Sequence, residues 1–500
     1  MQIHIQQLME DSGVGFGTSG ARGLAEAMTD RVCYAYTRGF LQHLASTGEL
    51  RGGERVAIAG DLRPSTDRIL AAVRRGAADA GYRPVLCGKL PSPAIALYGI
   101  SEGIPAVMVT GSHIPADRNG IKFNKRAGEI LKDDEAGIRA QVVTVDAALF
   151  DPGGRFRTAD VRSVETSDAA RRGYLARYRE FFPPGCLHGL RLGVYQHSAV
   201  GRDLLLEIVR GLGAEAVALA PSEAFIPVDT EAIRPEDVAL ARGWAADLGL
   251  DAVLSTDGDS DRPLLADERG EWLRGDVAGI LCARYLDADA VVTPVSCNSA
   301  VEQCGWFAEV RRTRIGSPYV IEAMLEAVAA GRERVVGYEA NGGFLTASDM
   351  RLDGRTLVAL PTRDAVMLLL GVLLLARREG KTLSALTGEL PARYTASDRL
   401  QAFPPDASRA VLARFETGDP EADRAAAEAL FGSLSGTLVA VDRTDGVRLT
   451  FASGEVVHLR PSGNAPEFRC YTEAASPGRA AELNAACLVV LGGLRAGREG

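Results

Sequence analysis

A strand–helix grammar written three times constrains this chain more than any other feature. The first pass reads as a strand at 55–60, a helix at about 65–81, a strand at 83–87, a helix at about 92–102 and a strand at 105–109. The second runs through a strand at 190–195, a helix near 200–212, a strand at 215–219, a helix near 235–248 and a strand at 252–254. The third follows with strands at 290–295, 309–314 and 334–338 around helices at 299–307 and 318–330. Such alternation predicts parallel sheets with helices on their faces. From about residue 435 the style changes to short strands at 438–441, 447–451 and 456–460 with Asp-Gly and Ser-Gly turns, closed by a helix near 478–496. Since 500 residues exceed what one core can organise, the expected fold is α/β: three similar α/β domains with mostly parallel mixed sheets plus a smaller C-terminal α+β domain. The boundaries are set at 1–155, 156–268, 269–382 and 383–500. Ligands of open α/β sheets collect beyond the carboxyl ends of strands, so such domains arranged around a central cleft would bring their loops together.

Charge narrows the function. With 65 acidic against 56 basic side chains the formal net charge is −9, which excludes a general nucleic-acid binder, because a phosphate backbone demands a basic face. The eight cysteines are scattered without a close Cys-x-x-Cys pair, as expected of reduced thiols in a cytoplasmic protein. No basic segment followed by an apolar one opens the chain, and Ala365–Ala376, flanked by Asp364 and Arg377-Arg378, reads as a buried helix rather than a membrane span. The expected partner is a small molecule, not nucleic acid or membrane. Oligomeric state cannot be read.

Each α/β pass ends in a polar loop. The first carries Thr110-Gly111-Ser112-His113, where a serine just past a strand end is expected to be presented rather than buried. The second carries Asp257, Asp259 and Asp261, three hard oxygen donors on alternate residues that suit Mg²⁺. An EF-hand count from Asp257 reaches Glu268 at its twelfth place but meets Arg262 where that loop needs glycine. The third loop is Glu339-Ala340-Asn341-Gly342-Gly343. In the tail, Arg460-Pro461-Ser462-Gly463-Asn464-Ala465-Pro466 has the composition of a phosphate cradle, with Arg469 on the next strand. The glycine-rich Gly15–Gly23 stretch does not fit a dinucleotide fingerprint, no strand being expected before it.

Taken in this order, the segments resemble the α-D-phosphohexomutase family, including its phosphomannomutase and phosphoglucomutase members. The carriers are Gly17–Gly23, Thr110–His113, Asp257–Arg262, Gly337–Gly343 and Arg460–Pro466, and the resemblance covers nearly the whole chain. It implies interconversion of hexose 6-phosphate and hexose 1-phosphate through phosphoserine at Ser112 and a hexose 1,6-bisphosphate, which also acts as activator. Mg²⁺ would be held by Ser112, Asp257, Asp259 and Asp261, with Arg22, Lys122 and Arg262 as the cations of the transfer step. His113, Glu339 and Asn341 would contact the sugar, while Arg460, Ser462, Gly463, Asn464 and Arg469 would grip the phosphate that is not transferred. The Glu339-Ala340-Asn341 form points to mannose first, with glucose and glucosamine behind it.

The chain departs from the family pattern where it matters. Ser317 stands where many members carry His or Lys, and Gly343 replaces a His that often ends the sugar motif. The usual proton-transfer groups are therefore missing, which leaves a non-catalytic sugar-phosphate sensor as a rival reading. Asn464 and Ala465 stand where Thr and Glu are common. A serine hydrolase is disfavoured, because Ser112 lies in no Gly-x-Ser-x-Gly elbow.

Overall fold

A computed structural model of the chain describes residues 1–17, 20–462 and 466–495, and it divides into two compact units. The first comprises Met1–Val291 with Gly316–Ala385; the second comprises Val292–Ile315 and the chain from Leu386 on. Among the described residues no helix is long and apolar enough to cross a membrane. The apolar helix Ala365–Glu379 is buried along Ala365–Ala376, as its composition predicts.

In the first unit the leading sheet contains β1 (Gly15–Phe16), β2 (Gly20–Leu24), β3 (Arg55–Gly60), β4 (Arg83–Lys89), β5 (Ala106–Val109) and β6 (Arg118–Lys125). Their order is β4-β3-β5-β6-β2-β1, with Glu165–Thr166 at the β4 edge. β4, β3 and β5 are parallel, and β5 is fully buried, which its run of Ala, Val and Met allows. The Glu165–Thr166 edge is also parallel, whereas β5 with β6, β6 with β2 and β2 with β1 pair antiparallel. The glycine-rich opening thus supplies two paired strands of this sheet, β1 and β2, which the sequence reading did not assign. Its pairing with β6 sets Arg22 opposite Gly120 and Gly20 opposite Lys122. Gly20 is obligatory, since a Cβ would lie 2.0 Å from the Ile121 carbonyl oxygen.

The second sheet has the order β8-β7-β9-β10, from β7 (Arg191–His197), β8 (Glu215–Pro221), β9 (Ala252–Thr256) and β10 (Pro263–Ala266). β7 and β8 are parallel, as are β7 and β9, and β10 returns antiparallel to β9. The third pass ends likewise, with β11 (Val335–Tyr338) answered by antiparallel β12 (Phe344–Thr346). Each of the three polar loops therefore joins a strand to an antiparallel return strand and is held at both ends by ladder hydrogen bonds.

In the second unit, β13 (Tyr394–Leu400), β14 (Leu438–Asp442), β15 (Val447–Phe451), β16 (Val456–Pro461) and β17 (Phe468–Ala474) form an antiparallel sheet in the order β13-β17-β16-β15-β14. Helices Pro405–Ala413, Pro420–Ser435 and Pro477–Arg495 build the core of this unit with the sheet, through Val411, Phe431, Leu483 and Leu491 against Leu449, Leu459 and Phe468. The expected helix at 299–307 shrinks to Ala300–Gln303, just before Gly305 turns at φ 68°.

Helix Ala365–Glu379 is secured at its start by a buried polar knot. Asp364 caps it by accepting from the Met367 N–H, while the same carboxylate takes the Tyr174 and Tyr178 hydroxyls and pairs with Arg177 at 3.2 Å. The Arg177 and Asp364 side chains are only 4% and 3% exposed. Asp364→Ala would strand a buried guanidinium, and chemical denaturation is expected to show a loss of about 3–5 kcal/mol. Tyr174→Phe, which leaves the ion pair, should cost about 1 kcal/mol.

Candidate functional site

Ser112 follows β5 in a loop that the chain holds rigidly. Its φ of 54° is left-handed, a conformation that costs a non-glycine residue roughly 1–2 kcal/mol and needs support from its surroundings. That support comes from Arg63 at the end of β3. The guanidinium, which belongs to a residue 2% exposed, donates from Nη2 to the carbonyls of Ser112 (2.7 Å) and Ile114 (2.6 Å), and from Nη1 to those of Pro115 (2.7 Å) and Arg118 (3.0 Å). Asp61 pairs with Arg63 at 3.2 Å and takes the Thr110 hydroxyl at 2.7 Å, and Thr110 Oγ1 in turn accepts the Ser112 N–H at 2.8 Å. Gly111 is required because Arg63 Cζ would lie 2.7 Å from any Cβ there. Ser112 is 1% exposed, not presented to solvent as a loop serine is expected to be. The backbone of the acidic loop lies over it, so that a Cβ on Gly258 would come 2.7 Å from the Ser112 carbonyl oxygen.

That juxtaposition unites the serine with the carboxylates. Ser112 Oγ donates to Asp257 Oδ2 at 2.7 Å, while Asp257 Oδ1 accepts the N–H groups of Asp261 and Arg262, each at 3.2 Å. Lys122, on β6, places Nζ 2.6 Å from Asp259 Oδ2 and 2.7 Å from Asp261 Oδ2. Ser92 adds its hydroxyl to Asp259 Oδ2 at 2.5 Å and its N–H to the Asp259 carbonyl. Two oxygens of this buried set, Asp259 Oδ1 and Asp261 Oδ1, accept no hydrogen bond. Each aspartate offers a ligand atom, and the three atoms lie within 4.8 Å of one another, so the triad could hold a metal ion. Burial, Asp259 and Asp261 together raise Asp257 well above the carboxylate range. Burial alone would do the same to Asp259, but Lys122 outweighs it and holds that carboxyl well below the usual value. Burial opposes the charge on Lys122, yet Asp259 and Asp261 raise its pKa on balance.

Uncommitted positive charge surrounds this centre. Arg22 donates to no described residue; desolvation and Arg262 lower its pKa to about 10. Among the described residues, the Arg262 side chain comes within ion-pair distance of Asp261 Oδ1, at a long 3.8 Å, and its Nε is unbonded. His113 Nδ1 is 3.4 Å from Ser112 Oγ, and burial with Arg262 and Arg22 pushes the imidazole down to about 2, so it is neutral at physiological pH. Cations with free donors beside a serine are what a phosphoryl group requires.

The third loop packs against the acidic one, a Cβ on Gly342 coming 2.9 Å from Pro263. Glu339 Oε2 accepts from Arg363 Nε at 2.6 Å, and Arg363 Nη1 lies 3.6 Å from Asp261 Oδ2. Asn341 Oδ1 accepts the Gly343 N–H at 2.9 Å, which leaves its Nδ2 as a donor. Position 343 has no room for a side chain, because Arg363 Cδ lies where a Cβ would be, at 2.4 Å. Ser317 is buried and hydrogen-bonds Glu129 at 2.9 Å.

The predicted phosphate loop lies in the second unit. Arg460 pairs with Asp445 at 2.8 Å, and the Ser462 N–H donates to the Glu467 carbonyl at 2.8 Å. Arg469 is the cross-strand partner of both Arg460 and Arg399, so three arginines share one face of β16, β17 and β13. Gly463, Asn464 and Ala465 lie outside the described residues, as do Thr18 and Ser19.

Family models for phosphoglucomutase/phosphomannomutase match the chain in four pieces: alpha/beta/alpha domain I over residues 13–148, domain II over 183–270, domain III over 274–394, and the C-terminal domain over 400–488. The chain belongs to the phosphoglucomutase/phosphomannomutase family. A phosphomannomutase of Sinorhizobium fredii is 44% identical over 96% of this chain and 99% of its own length. One of Salmonella muenchen is 44% identical over 94% of each. A crystal structure of a phosphoglucomutase/phosphomannomutase family protein from Burkholderia thailandensis shares the fold, with a TM-score of 0.73 at 20% identity, covering 98% of this chain and 99% of that one.

Within the first unit the structure gathers Ser112, His113, Lys122, Arg22, Asp257, Asp259, Asp261, Arg262, Glu339 and Asn341 into one neighbourhood. Sequence reading missed Asp61, Arg63, Ser92 and Arg363 there, and Arg399 in the second unit. The Asp61-Leu62-Arg63 stretch directly after a strand was a signal for the first two; the others carry none. If the triad is a metal site, calorimetry should show Asp259→Asn weakening Mg²⁺ binding by at least about 10-fold, roughly 1.4 kcal/mol. Mg²⁺ should raise the melting temperature of the parent protein more than that of the variant.

Proposed function

We propose that this protein is a phosphohexomutase that interconverts hexose 6-phosphate and hexose 1-phosphate, with mannose preferred, by way of phosphoserine at Ser112 and a hexose 1,6-bisphosphate. The observation that carries the reading is the contact of Ser112 Oγ with Asp257 of a buried acidic triad whose other members are bridged by Lys122. Phosphoryl transfer asks a protein mainly for positioning and charge neutralisation, and both are built in here. The unbonded Asp259 Oδ1 and Asp261 Oδ1, together with Asp257, suit a hard divalent cation, and we assign these residues and Ser112 to Mg²⁺. When bound, such an ion would neutralise charge on the phosphoryl oxygens.

The roles of the remaining side chains follow from their chemistry. Arg22 and Arg262 steady the phosphoryl group with free donors. Lys122 bridges two of the carboxylates and offsets their charge. Glu339, oriented by Arg363, and the Asn341 amide meet the sugar hydroxyls, with neutral His113 beside the serine. Arg460, Ser462, Gly463, Asn464 and Arg469 receive the phosphate that stays in place, and hexose 1,6-bisphosphate primes Ser112. The preference for mannose rests on the 44% identical phosphomannomutases and on the Glu339-Ala340-Asn341 motif.

A coupled assay comparing mannose 1-phosphate, glucose 1-phosphate and glucosamine 1-phosphate, each with its 1,6-bisphosphate and Mg²⁺, tests this reading. The highest kcat/KM is expected for mannose. Ser112→Ala is expected to lower mutase activity by about 10⁴-fold or more, while calorimetry shows sugar-phosphate affinity changed less than about threefold. A parent protein that binds hexose phosphates but isomerises none of them would instead be a sensor.

A further inference from the structure

The proposed reaction requires a group that takes the proton from the attacking sugar hydroxyl and later returns it. Ser317 and Gly343, the two positions where the usual proton-transfer groups are missing from the sequence, supply none: Ser317 is buried on Glu129, and Arg363 fills the place at Gly343. Glu339 is engaged by Arg363, His113 is held neutral as a very weak base, and Lys122 is a cation fixed on two carboxylates. One carboxylate in this neighbourhood is not committed. Glu231 is accessible to solvent and accepts no hydrogen bond from any described residue.

Its backbone is nevertheless fixed. Thr230, 6% exposed, donates its hydroxyl to the Asn341 carbonyl at 2.8 Å, and the Glu231 N–H donates to Asp229 Oδ1 at 3.0 Å. On its other side the sugar loop abuts the start of helix Gly275–Tyr285, where a Cβ on Gly275 would meet the Gly342 nitrogen at 2.2 Å. The charges that act on Glu231 come from all of these elements: Asp229 on its own segment, Arg262 from the acidic loop, Arg274 before the helix and Glu339 from the sugar loop. Glu231 thus directly follows a residue bonded to the sugar loop, and the charges of that loop and of the acidic loop both reach it.

We propose that Glu231 is the general base and general acid of the mutase, a role that rests on the reading of Ser112 as phosphoryl carrier. In the first half-reaction a sugar hydroxyl oxygen forms its bond to phosphorus as the phosphorus–Oγ bond to Ser112 breaks. The hydroxyl proton passes to the Glu231 carboxylate, and the electron pair of the broken bond remains on Ser112 Oγ. In the second half-reaction Ser112 Oγ attacks the other phosphate of the bisphosphate, and Glu231 returns its proton to the departing sugar oxygen. Protons and charge balance over the cycle. The protein mass around this solvent-accessible carboxylate disfavours its charged form and raises its pKa, with Asp229 and Glu339 adding to the rise and Arg262 and Arg274 working against it. A base must be deprotonated, so kcat/KM for hexose 1-phosphate should climb with pH through a pKa above the ordinary glutamate value, and flatten beyond it.

The test is a pH profile of the full-length enzyme with its Mg²⁺ and bisphosphate, for the parent and for Glu231→Gln. The variant is expected to lose about 10²–10⁴-fold in kcat with KM within threefold, and to lose the rising acid limb. Glu231→Asp should keep that limb at reduced kcat, and added formate should restore part of the activity of Glu231→Ala. A purely structural role for Glu231 would produce neither result. Should Glu231→Gln fail to fold, Glu231→Asp and the formate rescue decide the matter. A Glu231→Gln enzyme within threefold of the parent and with an unchanged profile overturns the assignment of Glu231 while leaving the mutase reading intact. A parent protein inactive on all three hexose phosphates overturns the mutase reading, and this inference with it.

Discussion

Asp257, Asp259 and Asp261 are buried within reach of one another, and the rest of the site can be understood as the answer to their mutual repulsion. Like charges taken out of water are tolerated only when paired, protonated or coordinated. Lys122 reaches two of the three from a neighbouring sheet, while Asp257, outside ion-pair contact with any described cation, has its carboxyl raised by burial and by the other two aspartates. Two oxygens still lack partners, so the cluster is compensated only in part by the protein itself. That deficit is what makes the place receptive to a divalent ion, and it explains why a serine hydroxyl is drawn into a carboxylate network at all.

Positioning is the second theme. Each of the three chemistry-bearing loops springs from a buried strand and returns as an antiparallel partner, so no loop hangs from one end. The loops also brace one another: Gly258 lies on Ser112, Gly342 on Pro263, and Arg363 spans Glu339 and Asp261. Several of these contacts exist because a glycine admits close backbone approach, which is why glycine recurs beside each functional side chain. Arg63 extends the principle by turning one buried guanidinium into a clamp on four carbonyls.

Much of this was legible before any coordinates. The α/β rhythm located the parallel strands and most helices between them, because buried strands are written as continuous apolar runs and the helices as amphipathic ones, but it passed over the helices Asp30–Ser46, Ala169–Phe181 and Gly275–Tyr285 and the strand Arg118–Lys125. The motifs around Ser112, Asp257 and Glu339 were visible because their chemistry is concentrated in a few consecutive residues. The return strands at Pro263–Ala266 and Phe344–Thr346 were not read, being too short to show a period. The hairpin at Gly15–Leu24 was hidden by glycine, which looks like a turn wherever it occurs. Ser92 and Arg363 were invisible for a different reason: each acts on residues roughly 25 to 170 positions away, and nothing local marks an arginine or serine as the one that will arrive. The burial of Ser112 likewise depends on a loop some 145 residues downstream.

The anchoring of Ser112 at both its amide and its carbonyl has a kinetic corollary. A tethered donor cannot follow its cargo, so the ligand must be the part that travels. On the mutase reading, the doubly phosphorylated sugar has to release its holds, somersault, and settle again before diffusion carries it off. Every molecule lost in mid-turn would strand an enzyme without its charge, to be reloaded from outside. On that reading, the stiffness that makes transfer accurate would also make the catalyst dependent on a standing supply of its own intermediate.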